Sequence, residues 1–267
     1  MKYTIKDFRK EFPNDDVCLD YILNKKYPDL KGYYRVKERK CYANSKGGQI
    51  HPVKGTIFEK SSTPLTLWFY AIFLFSVSKN GVSAKELERQ LGVTYKCAWR
   101  MAHQIRKLMD QDGDLLIGTV EVDETYFGKK GNHEQKFKNK TALMGMVERQ
   151  GKVRANTITA REAHIILNQI KENIGLNANI MSDEFSIYKK LSKLGYSSQR
   201  VKHGKKTYVR GNVHTNTIEG FWGQLKRGIR GTYTFVSATH LQAYVDGFAF
   251  RYNYRHAPVF AELISRV

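Results

Sequence analysis

Acidic residues are scarce in this sequence of 267 residues. Its 25 Asp and Glu face 45 Lys and Arg, which gives a formal net charge of +20. Such an excess of one sign repels itself unless the protein works beside a polyanion. Nucleic acid is therefore the expected partner, with an anionic membrane surface as the alternative.

Cysteines and long apolar runs are also few. Three cysteines without a CxxC pair favour reduced thiols over a disulfide framework. The N-terminus MKYTIKDFRKEFPND lacks the apolar segment of a signal peptide. The most apolar run, residues 65–77, is shorter than the ~20 residues that span a bilayer. We expect a cytoplasmic, nucleoid-associated protein without membrane contact.

The positive charge is spread along the chain. Basic pairs and runs lie at residues 25–26, 37–40, 129–130, 136–140, 202–206 and 226–227. A distributed excess suits a broad surface that follows phosphates better than a single basic tail would.

The hydrophobic patterns divide the chain into three predicted parts. Residues 1–60 contain helical segments around Pro13 and then short alternating stretches that favour a small β unit. Residues 61–112 are predicted to be helical, and residues 113–267 alternate between strands and helices. The 41% of hydrophobic residues is ample for a packed core.

Two helical patterns flank Gly92 within residues 83–109. A short turn containing glycine between two helices is typical of a helix-turn-helix motif. Four residues would lie at the start and outer face of its second helix, where DNA is read: Thr94, Tyr95, Lys96 and Arg100. An ordinary helical hairpin is the alternative, and the basic exposed face favours DNA contact.

From Leu115 the pattern predicts three consecutive strands and then alternating helices and strands. The predicted strands are 115–127, 141–149, 152–159, 178–182 and 199–203, and the predicted helices are 162–173, 185–194 and 216–229. This order is typical of an RNase H-like α/β fold. We expect a mixed sheet flanked by helices, preceded by a mainly helical DNA-binding region.

Three acids lie where a carboxylate has little structural reason to be: Asp123 in VEVDETYFG, Asp183 in IMSDEFSIY and Glu219 in HTNTIEGFWGQLKRG. Asp123 interrupts a run that otherwise looks buried, although Asp is depleted in strands. Asp183 directly follows a predicted strand, so neighbouring strands could bring both carboxylates to one end of the sheet. Oxygen ligands suit Mg²⁺, and two ions can promote an in-line phosphoryl displacement. The acids therefore predict a split metal site.

Two of these acids have a structural alternative. Asp183 fits an N-cap, and Glu219 fits the third position of a capping box that starts at Asn216. Helical spacing nevertheless aligns Glu219 with Lys226 and Arg230, which would let a metal ligand and phosphate contacts share one stripe.

Other acids nearby are rival ligands: Glu121, Glu124 and Glu184. Strand alternation places Glu121 on the face of Asp123 and Glu124 on the opposite face.

Several long motifs resemble the DDE-type insertion-sequence transposases, specifically the ISXO-like group with an RNase H-like catalytic domain. The matching segments are GTVEVDETYFGKK, SDEFSIYKKL, VHTNTIEGFWGQLKRGIRGTY and HLQAYVDGFAFRYNYR. Residues 55–109 are similar to the N-terminal DNA-binding region of that group. The likeness spans most of the chain, with the motifs in the same order as in that group.

This resemblance implies that Asp123, Asp183 and Glu219 form the DDE triad and that Lys226 is the basic residue that accompanies it. It implies two Mg²⁺ or Mn²⁺ ions, double-stranded DNA of transposon ends and target as substrate, and a homodimer or larger assembly on DNA. The expected activity is cleavage at terminal inverted repeats followed by strand transfer. Basic residues are expected to contact phosphates beside the triad: Lys129, Lys130, Lys226 and Arg230.

The chain departs from this family before the GTIF motif. Members of the group usually carry a zinc ribbon of two CxxC knuckles there, whereas CYANSKGGQIHP has Asn44 and Gly47 where the second pair is expected. The remaining candidates give at most three ligands: Cys18, Cys41 and His51. Structural zinc is therefore not expected, and residues 32–58 are predicted to be a metal-free remnant.

Two other functions fit the same residues. One is a different RNase H-like nuclease, such as a resolvase that cuts branched DNA without joining it. The other is a domesticated or inactive DNA-binding regulator that keeps the helix-turn-helix.

Overall fold

The computed structural model of the protein describes residues 3–37, 39–111, 113–128, 140–160, 162–200 and 214–267. The chain divides into two compact units, one of Met1–Leu108 with His256–Val267 and one of Met109–Arg255. Within the described ranges, no helix is both long enough and apolar enough to cross a membrane.

The elements follow the predicted order of a helical region and then a mixed α/β region. In chain order they are α1 (Ile5–Glu11), α2 (Asp15–Lys26), β1 (Tyr34–Arg35), β2 (Tyr42–Ala43), β3 (Gln49–Ile50), α3 (Leu65–Val77), α4 (Ala84–Leu91), α5 (Tyr95–Lys107), β4 (Thr119–Gly128), β5 (Lys140–Glu148), β6 (Val153–Ile158), α6 (Ala163–Asn173), β7 (Asn179–Ser182), β8 (Ser197–Arg200), α7 (Asn216–Gly228), α8 (Ala238–Asn253) and α9 (Val259–Ile264).

In the first unit, helices α1 and α2 are separated at Pro13, where the sequence predicts a break. Asn14, which follows Pro13, caps α2 by accepting a hydrogen bond from the Val17 N–H at 3.0 Å. The apolar run at residues 65–77 forms helix α3, and seven of its 13 residues are buried. Its N-terminus is capped from α2, because the Asp15 carboxylate accepts hydrogen bonds from the Leu65 and Thr66 N–H groups at 3.0 and 2.8 Å.

The predicted small β unit is the antiparallel sheet β1-β2-β3. Where a second cysteine pair would be expected, the Asn44 carboxamide oxygen accepts hydrogen bonds from the Lys46 and Gly48 N–H groups. The Lys40 ammonium donates to the Ser61 and Thr63 carbonyls at 3.2 Å each. Side-chain hydrogen bonds therefore hold the loops of this segment. The absence of structural zinc stays a prediction.

The predicted helices on either side of Gly92 are α4 and α5. Gly92 ends α4 with a φ of +63°, a left-handed conformation that glycine adopts without steric cost. Leu87 and Leu91 of α4 and Met101 and Ile105 of α5 are buried, so the two helices share an apolar interior.

The C-terminal helix α9 belongs to the first unit. The Phe260 ring stacks on Tyr3 with centroids 4.7 Å apart and meets the edge of Phe8. The predicted boundaries of three domains, 1–60, 61–112 and 113–267, stay a prediction.

The second unit contains the expected mixed sheet, with strand order β6-β5-β4-β7-β8. Strands β4, β5 and β6 form the antiparallel meander, and β7 and β8 run parallel to β4. This is the RNase H-like arrangement that the element order predicts. It places β4 at the centre of the sheet.

Helices cover both faces of this sheet. On one face Val120 and Val122 of β4 pack with Ile166 and Ile170 of α6. On the other face β5 and β6 pack with α7 and α8 in a second buried cluster. Alternation along β4 therefore directs odd-numbered side chains toward α7 and even-numbered ones toward α6.

Two predicted elements differ from the structure. Residues 185–194 form two short 3₁₀ helices, Ser186–Lys190 and Ser192–Leu194, where a single α-helix is predicted. Buried Tyr188 of the first donates a hydrogen bond to Glu124 of β4, a tertiary contact that the local sequence pattern does not show. The strand begins at Thr119, and the side chains of Leu115 and Ile117 before it are about half exposed rather than buried.

Side-chain amides cover the free edge of β6. Asn253 of α8 pairs with the N–H and carbonyl of Val153 at 2.7 and 3.0 Å, and Gln111 pairs with those of Ala155 at 2.9 and 2.7 Å. Because an unpaired strand edge invites pairing with other chains, these amides take the place of a further strand.

Asp246 of α8 supports this edge. One of its oxygens, Oδ1, accepts hydrogen bonds from the Gln111 and Gln242 amides, each at 2.7 Å. Burial raises the pKa of Asp246 to about 6, although both hydrogen bonds favour the charged form.

We predict that Asp246→Asn stabilises the protein at neutral pH. A carboxyl whose folded pKa is raised binds its proton more tightly in the folded state, so the wild type loses stability as pH rises from about 4 to about 6 and regains none above it. Asparagine keeps the accepting oxygen without the charge, and the gain at pH 7.5 is up to about 3 kcal/mol. Denaturant unfolding at pH 4 and pH 7.5 measures this difference in the free energy of unfolding.

The control Asp114→Asn changes an exposed surface pair with Lys152 and should shift the free energy of unfolding by less than about 1 kcal/mol. A loss of stability at pH 7.5 in Asp246→Asn would contradict the prediction.

Candidate functional site

The candidate site lies between β4 and α7 within the second unit. Three contacts join these elements in sequence order: Glu121 with Thr217 and Ile218, Asp123 with Trp222, and Thr125 with Lys226. Helix α7 therefore runs along β4 in the same direction. This alignment brings its acidic and basic side chains to the strand that carries Asp123.

Asp123 is half-buried at the centre of β4. Its Oδ2 atom accepts a hydrogen bond from the Trp222 indole N–H at 3.1 Å. The residue opposite Asp123 on β5 is Gly145, and a Cβ there would lie 2.4 Å from the Trp222 ring. The indole reaches Asp123 only because β5 has no side chain at this position.

Asp183 lies beside Asp123. The last register pair between β4 and β7 is Val122 with Ser182, so Asp123 and Asp183 follow directly on the two neighbouring strands. Asp183 Oδ1 accepts a hydrogen bond from the Phe185 N–H at 2.9 Å and closes a turn. Phe185 is the N-cap of the 3₁₀ helix that follows, so the alternative in which Asp183 caps that helix is wrong.

The charge around Asp123 is unfavourable for another anion. Burial and, after it, the charges of the Glu124 and Asp183 carboxylates raise the pKa of Asp123 to about 7, while hydrogen bonds from the Glu124 backbone and the Trp222 indole oppose the shift. Both causes disfavour the ionised form. A cation held beside Asp123 would counteract both.

Glu219 lies in the first turns of α7 with an exposed side chain. Its Oε1 atom accepts a hydrogen bond from the Thr215 hydroxyl at 3.0 Å, and Thr215 is the N-cap residue. The capping-box alternative for Glu219 is wrong, because the first backbone N–H groups of α7 donate to Glu121 instead.

Of the rival acids, Glu121 and Glu124 both accept hydrogen bonds from protein groups. As alternation predicts, Glu121 is on the face of Asp123 and is fully buried. Glu124 is on the opposite face and accepts a hydrogen bond from the Tyr188 hydroxyl. Burial and the Glu124 charge hold the pKa of Tyr188 well above its ordinary value. Glu184 is exposed.

Lys226 and Arg230 lie at the other end of α7. The Lys226 ammonium donates a hydrogen bond to the Thr125 hydroxyl. Burial lowers the pKa of Lys226, Asp123 opposes this shift, and Arg230 adds to it. Arg230 is exposed in the π-helical turn Ile229–Tyr233 that extends α7. The other two predicted phosphate contacts, Lys129 and Lys130, lie outside the described residues.

The donor set suits a hard divalent cation at the paired acids. Asp123 and Asp183 offer carboxylate oxygens, the ligand type that Mg²⁺ and Mn²⁺ prefer. Across the residues that the structure describes, no group of three His, Cys, Asp or Glu side chains is gathered closely enough to hold a metal ion. The structure thus brings Asp123 and Asp183 side by side, whereas Glu219 on α7 is not gathered with them closely enough to complete a three-acid metal site.

Sequence reasoning missed three residues of this site. Trp222 is predicted only as a core residue because of its helical spacing, and neither Gly145 nor Arg149 has a local signal. The Arg149 guanidinium donates to Glu121 Oε1 at 2.8 Å. Contacts between such distant segments leave no local pattern in one sequence.

The predicted DNA-reading residues surround the start of α5. Thr94 caps the helix, since its hydroxyl accepts a hydrogen bond from the Cys97 N–H. Tyr95, Lys96 and Arg100 are exposed. Trp99, which sequence reasoning missed, is 41% exposed and lies one turn after Tyr95, a spacing that could have revealed it.

Residues 115–253 match the ISXO2-like transposase domain family. The matched segment is more than half of the chain and runs from the residues before β4 to the end of α8. The chain belongs to this family. The matched segment of this transposase includes Asp123, Asp183 and Glu219.

Two further proteins are similar to this transposase. An uncharacterized protein in the transposable element ISH50 of Halobacterium salinarum is 24% identical over 219 residues, which cover 74% of this chain and 72% of that protein. A chain of the cryo-electron microscopy structure of the simian T-cell lymphotropic virus intasome in complex with PP2A regulatory subunit B56 gamma is 14% identical, with a TM-score of 0.33. That match covers 68% of this chain and 65% of that chain, just under two thirds of its length.

We predict that Gly145→Ala destabilises the transposase and moves Trp222 away from Asp123. The new methyl group would overlap the indole, and overpacking of this kind costs about 1–3 kcal/mol. Denaturant unfolding and tryptophan fluorescence measure both effects. The control is Gly220→Ala in α7, where a Cβ meets nothing within 4 Å, and it should gain up to about 1 kcal/mol of helix propensity. Equal stability in the two variants would show that the space beside Trp222 is not tight.

Proposed function

We propose that this transposase cuts and joins DNA at the ends of its element by metal-dependent phosphoryl transfer. The observation that carries the proposal is the pair of Asp123, on β4, and Asp183, directly after the neighbouring strand β7, with the pKa of Asp123 raised to about 7 by burial and like charges. Strongly shifted acids cluster at functional sites, and Asp123 has a second carboxylate beside it, as a metal site requires. Membership of the ISXO2-like family supports the same reaction class.

The reaction consists of two displacements at phosphorus. Water attacks the phosphodiester at the end of the element, a new phosphorus–oxygen bond forms, and the 3′-oxygen leaves and takes a proton. The freed 3′-hydroxyl then attacks a phosphodiester of the target, whose own 3′-oxygen leaves. Two Mg²⁺ or Mn²⁺ ions, when bound by Asp123, Asp183 and Glu219, would activate the nucleophile and stabilise the leaving oxygen.

The other residues of the site orient the Asp123 carboxylate and would neutralise phosphate charge. The Trp222 indole donates a hydrogen bond to Oδ2 of Asp123 and thereby orients the carboxylate. Lys226 and Arg230 supply positive charge along the same helix and would contact the phosphates of the bound strand. Two displacements of this kind require no covalent bond between protein and DNA, so no tyrosine is assigned as a nucleophile.

Recognition of the terminal inverted repeats is assigned to α5. Lys96 and Arg100 are exposed cations on this helix and would contact phosphates or guanine edges. Tyr95 and Trp99 add an exposed aromatic surface that suits thymine methyl groups. A homodimer or larger assembly on DNA follows from the need to hold two ends together.

We predict that Asp123→Asn abolishes metal-dependent cleavage and leaves DNA binding intact. Asparagine keeps the Trp222 hydrogen bond but removes the charge that would hold a cation. Since groups that only support a metal ligand are already worth about 10- to 100-fold, the loss should exceed about 100-fold. A labelled duplex that carries the end of the element, incubated with Mg²⁺, measures cleavage, and gel shift measures binding. Asp114→Asn is the control, and equal cutting by Asp123→Asn would refute the assignment.

The same assay separates the other candidate functions. A resolvase would cut a branched duplex without joining the product to a target. A regulator without catalysis would bind the duplex equally with or without divalent ions, whereas a metal-binding enzyme gains thermal stability from Mn²⁺.

We predict that Lys96→Ala weakens binding to all DNA sequences alike. Loss of one phosphate contact should lower the slope of log affinity against log salt concentration by about 1. Fluorescence anisotropy of a labelled duplex measures this slope at salt concentrations from about 50 to about 200 mM, the range over which DNA affinity changes strongly with salt. The control is Lys171→Ala, which removes an exposed lysine of α6. An unchanged slope in Lys96→Ala would show that the exposed face of α5 is not part of the DNA interface.

A further inference from the structure

A fully buried carboxylate joins β4 to the start of α7. Glu121 has no exposed side-chain surface, and its Oε2 atom accepts hydrogen bonds from the backbone N–H groups of Thr217 and Ile218 at 2.8 and 3.1 Å. The Thr217 hydroxyl donates to Oε1 at 2.9 Å. Glu121 therefore does the capping that Thr215, the N-cap residue, does not do with its own side chain.

The other side of Glu121 is held by cationic and polar groups. Arg149 Nε donates to Oε1 at 2.8 Å, and Arg149 Nη2 donates to the His214 carbonyl at 3.0 Å. The His214 ring nitrogen Nδ1 lies 3.2 Å from Oε1. One carboxylate thus connects β4, the turn after β5 and the residues that lead into α7.

The position of this carboxylate matters because of what α7 carries. Thr217 and Ile218 immediately precede Glu219, while Glu121 is two residues before Asp123 on a rigid central strand. Glu121 therefore links the backbone beside one acid of the site to the strand of another. The positive end of the helix also favours a carboxylate there.

We propose that Glu121 is a positioning residue, which fixes the first turn of α7 against β4 and thereby sets where the Glu219 carboxylate stands relative to Asp123. The inference rests on the proposed function, since it assigns a role for Glu219 beside a metal ion. Glu121 itself binds neither metal nor DNA. A merely structural cap would contribute to stability alone.

The experiment compares the full-length wild type with Glu121→Gln. Glutamine keeps the shape and one accepting oxygen, but its NH₂ group would meet donors of Thr217 or Arg149. The stability control is Ile170→Val, which trims a fully buried side chain of α6 on the opposite face of the sheet. Three quantities are measured: hydrogen exchange of the Thr217 and Ile218 amides, Mn²⁺ affinity by calorimetry without DNA, and the Mn²⁺ concentration for half-maximal cleavage.

In Glu121→Gln we expect the two amides to exchange at least about tenfold faster, because they lose a charged acceptor. We expect Mn²⁺ affinity to fall by about 10- to 100-fold and the half-maximal Mn²⁺ concentration to rise equally, as for other groups that orient metal ligands. Cleavage should recover at high Mn²⁺, and the dissociation constant for DNA in EDTA should stay unchanged. Ile170→Val should match the wild type in all these quantities.

The outcomes separate this inference from the proposed function. If the wild type binds Mn²⁺ but cuts no DNA, the proposed reaction is wrong. The positioning role of Glu121 is then still tested by comparing the Mn²⁺ affinities of Glu121→Gln and the wild type. If Glu121→Gln binds Mn²⁺ as Ile170→Val does, the positioning role fails. If wild type binds no Mn²⁺, both fail.

A milder variant covers the case in which Glu121→Gln does not fold. Thr217→Val removes only the hydroxyl donor and keeps both backbone bonds, so it should lower Mn²⁺ affinity in the same direction by a smaller factor. An unchanged affinity in that folded variant would also overturn the proposal.

Discussion

The attachment of α7 to β4 through the buried Glu121 carboxylate is the interaction on which the second unit depends. A charge without solvent must be met by donors from the protein, and here the donors are the start of a helix and an arginine. This requirement fixes the register of α7 along β4. Trp222 consequently reaches Asp123, and Lys226 reaches Thr125.

The first unit uses the same device. Asp15 of α2 caps the N-terminus of α3, which begins after Pro64. In both units a carboxylate from another element satisfies the first N–H groups of a helix, so a tertiary contact replaces a local cap. The amides of Asn253 and Gln111 do the equivalent for the edge of β6. Side chains distant in sequence thus complete the backbone hydrogen bonding of helices and sheet alike.

Charge is divided by task in this transposase. The surplus of lysine and arginine is spread widely, whereas the acids Asp123, Glu124 and Asp183 influence one another within a small part of the sheet. Like charges in a partly buried place are costly without a counterion. A cation would relieve that cost, and the basic surroundings would hold a polyanion near it. Both features of the charge pattern agree with the proposed metal-dependent reaction on DNA.

The sequence alone predicted most of the elements and singled out the candidate acids. Alternation placed Glu121 and Asp123 on one face of β4, the glycine at position 92 marked the turn between α4 and α5, and motif spacing marked the family. Tertiary structure decided which acid does what. The sequence offers both Glu121 and Glu219 as candidate metal ligands, yet a contact between residues 96 positions apart, from the Thr217 N–H to Glu121, makes Glu121 a buried cap, whereas Glu219 is exposed. Alternation along a strand predicts which side chains share one face of the sheet. Only the folded chain decides which helix packs against that face, as α7 does against the face of β4 that carries Glu121 and Asp123.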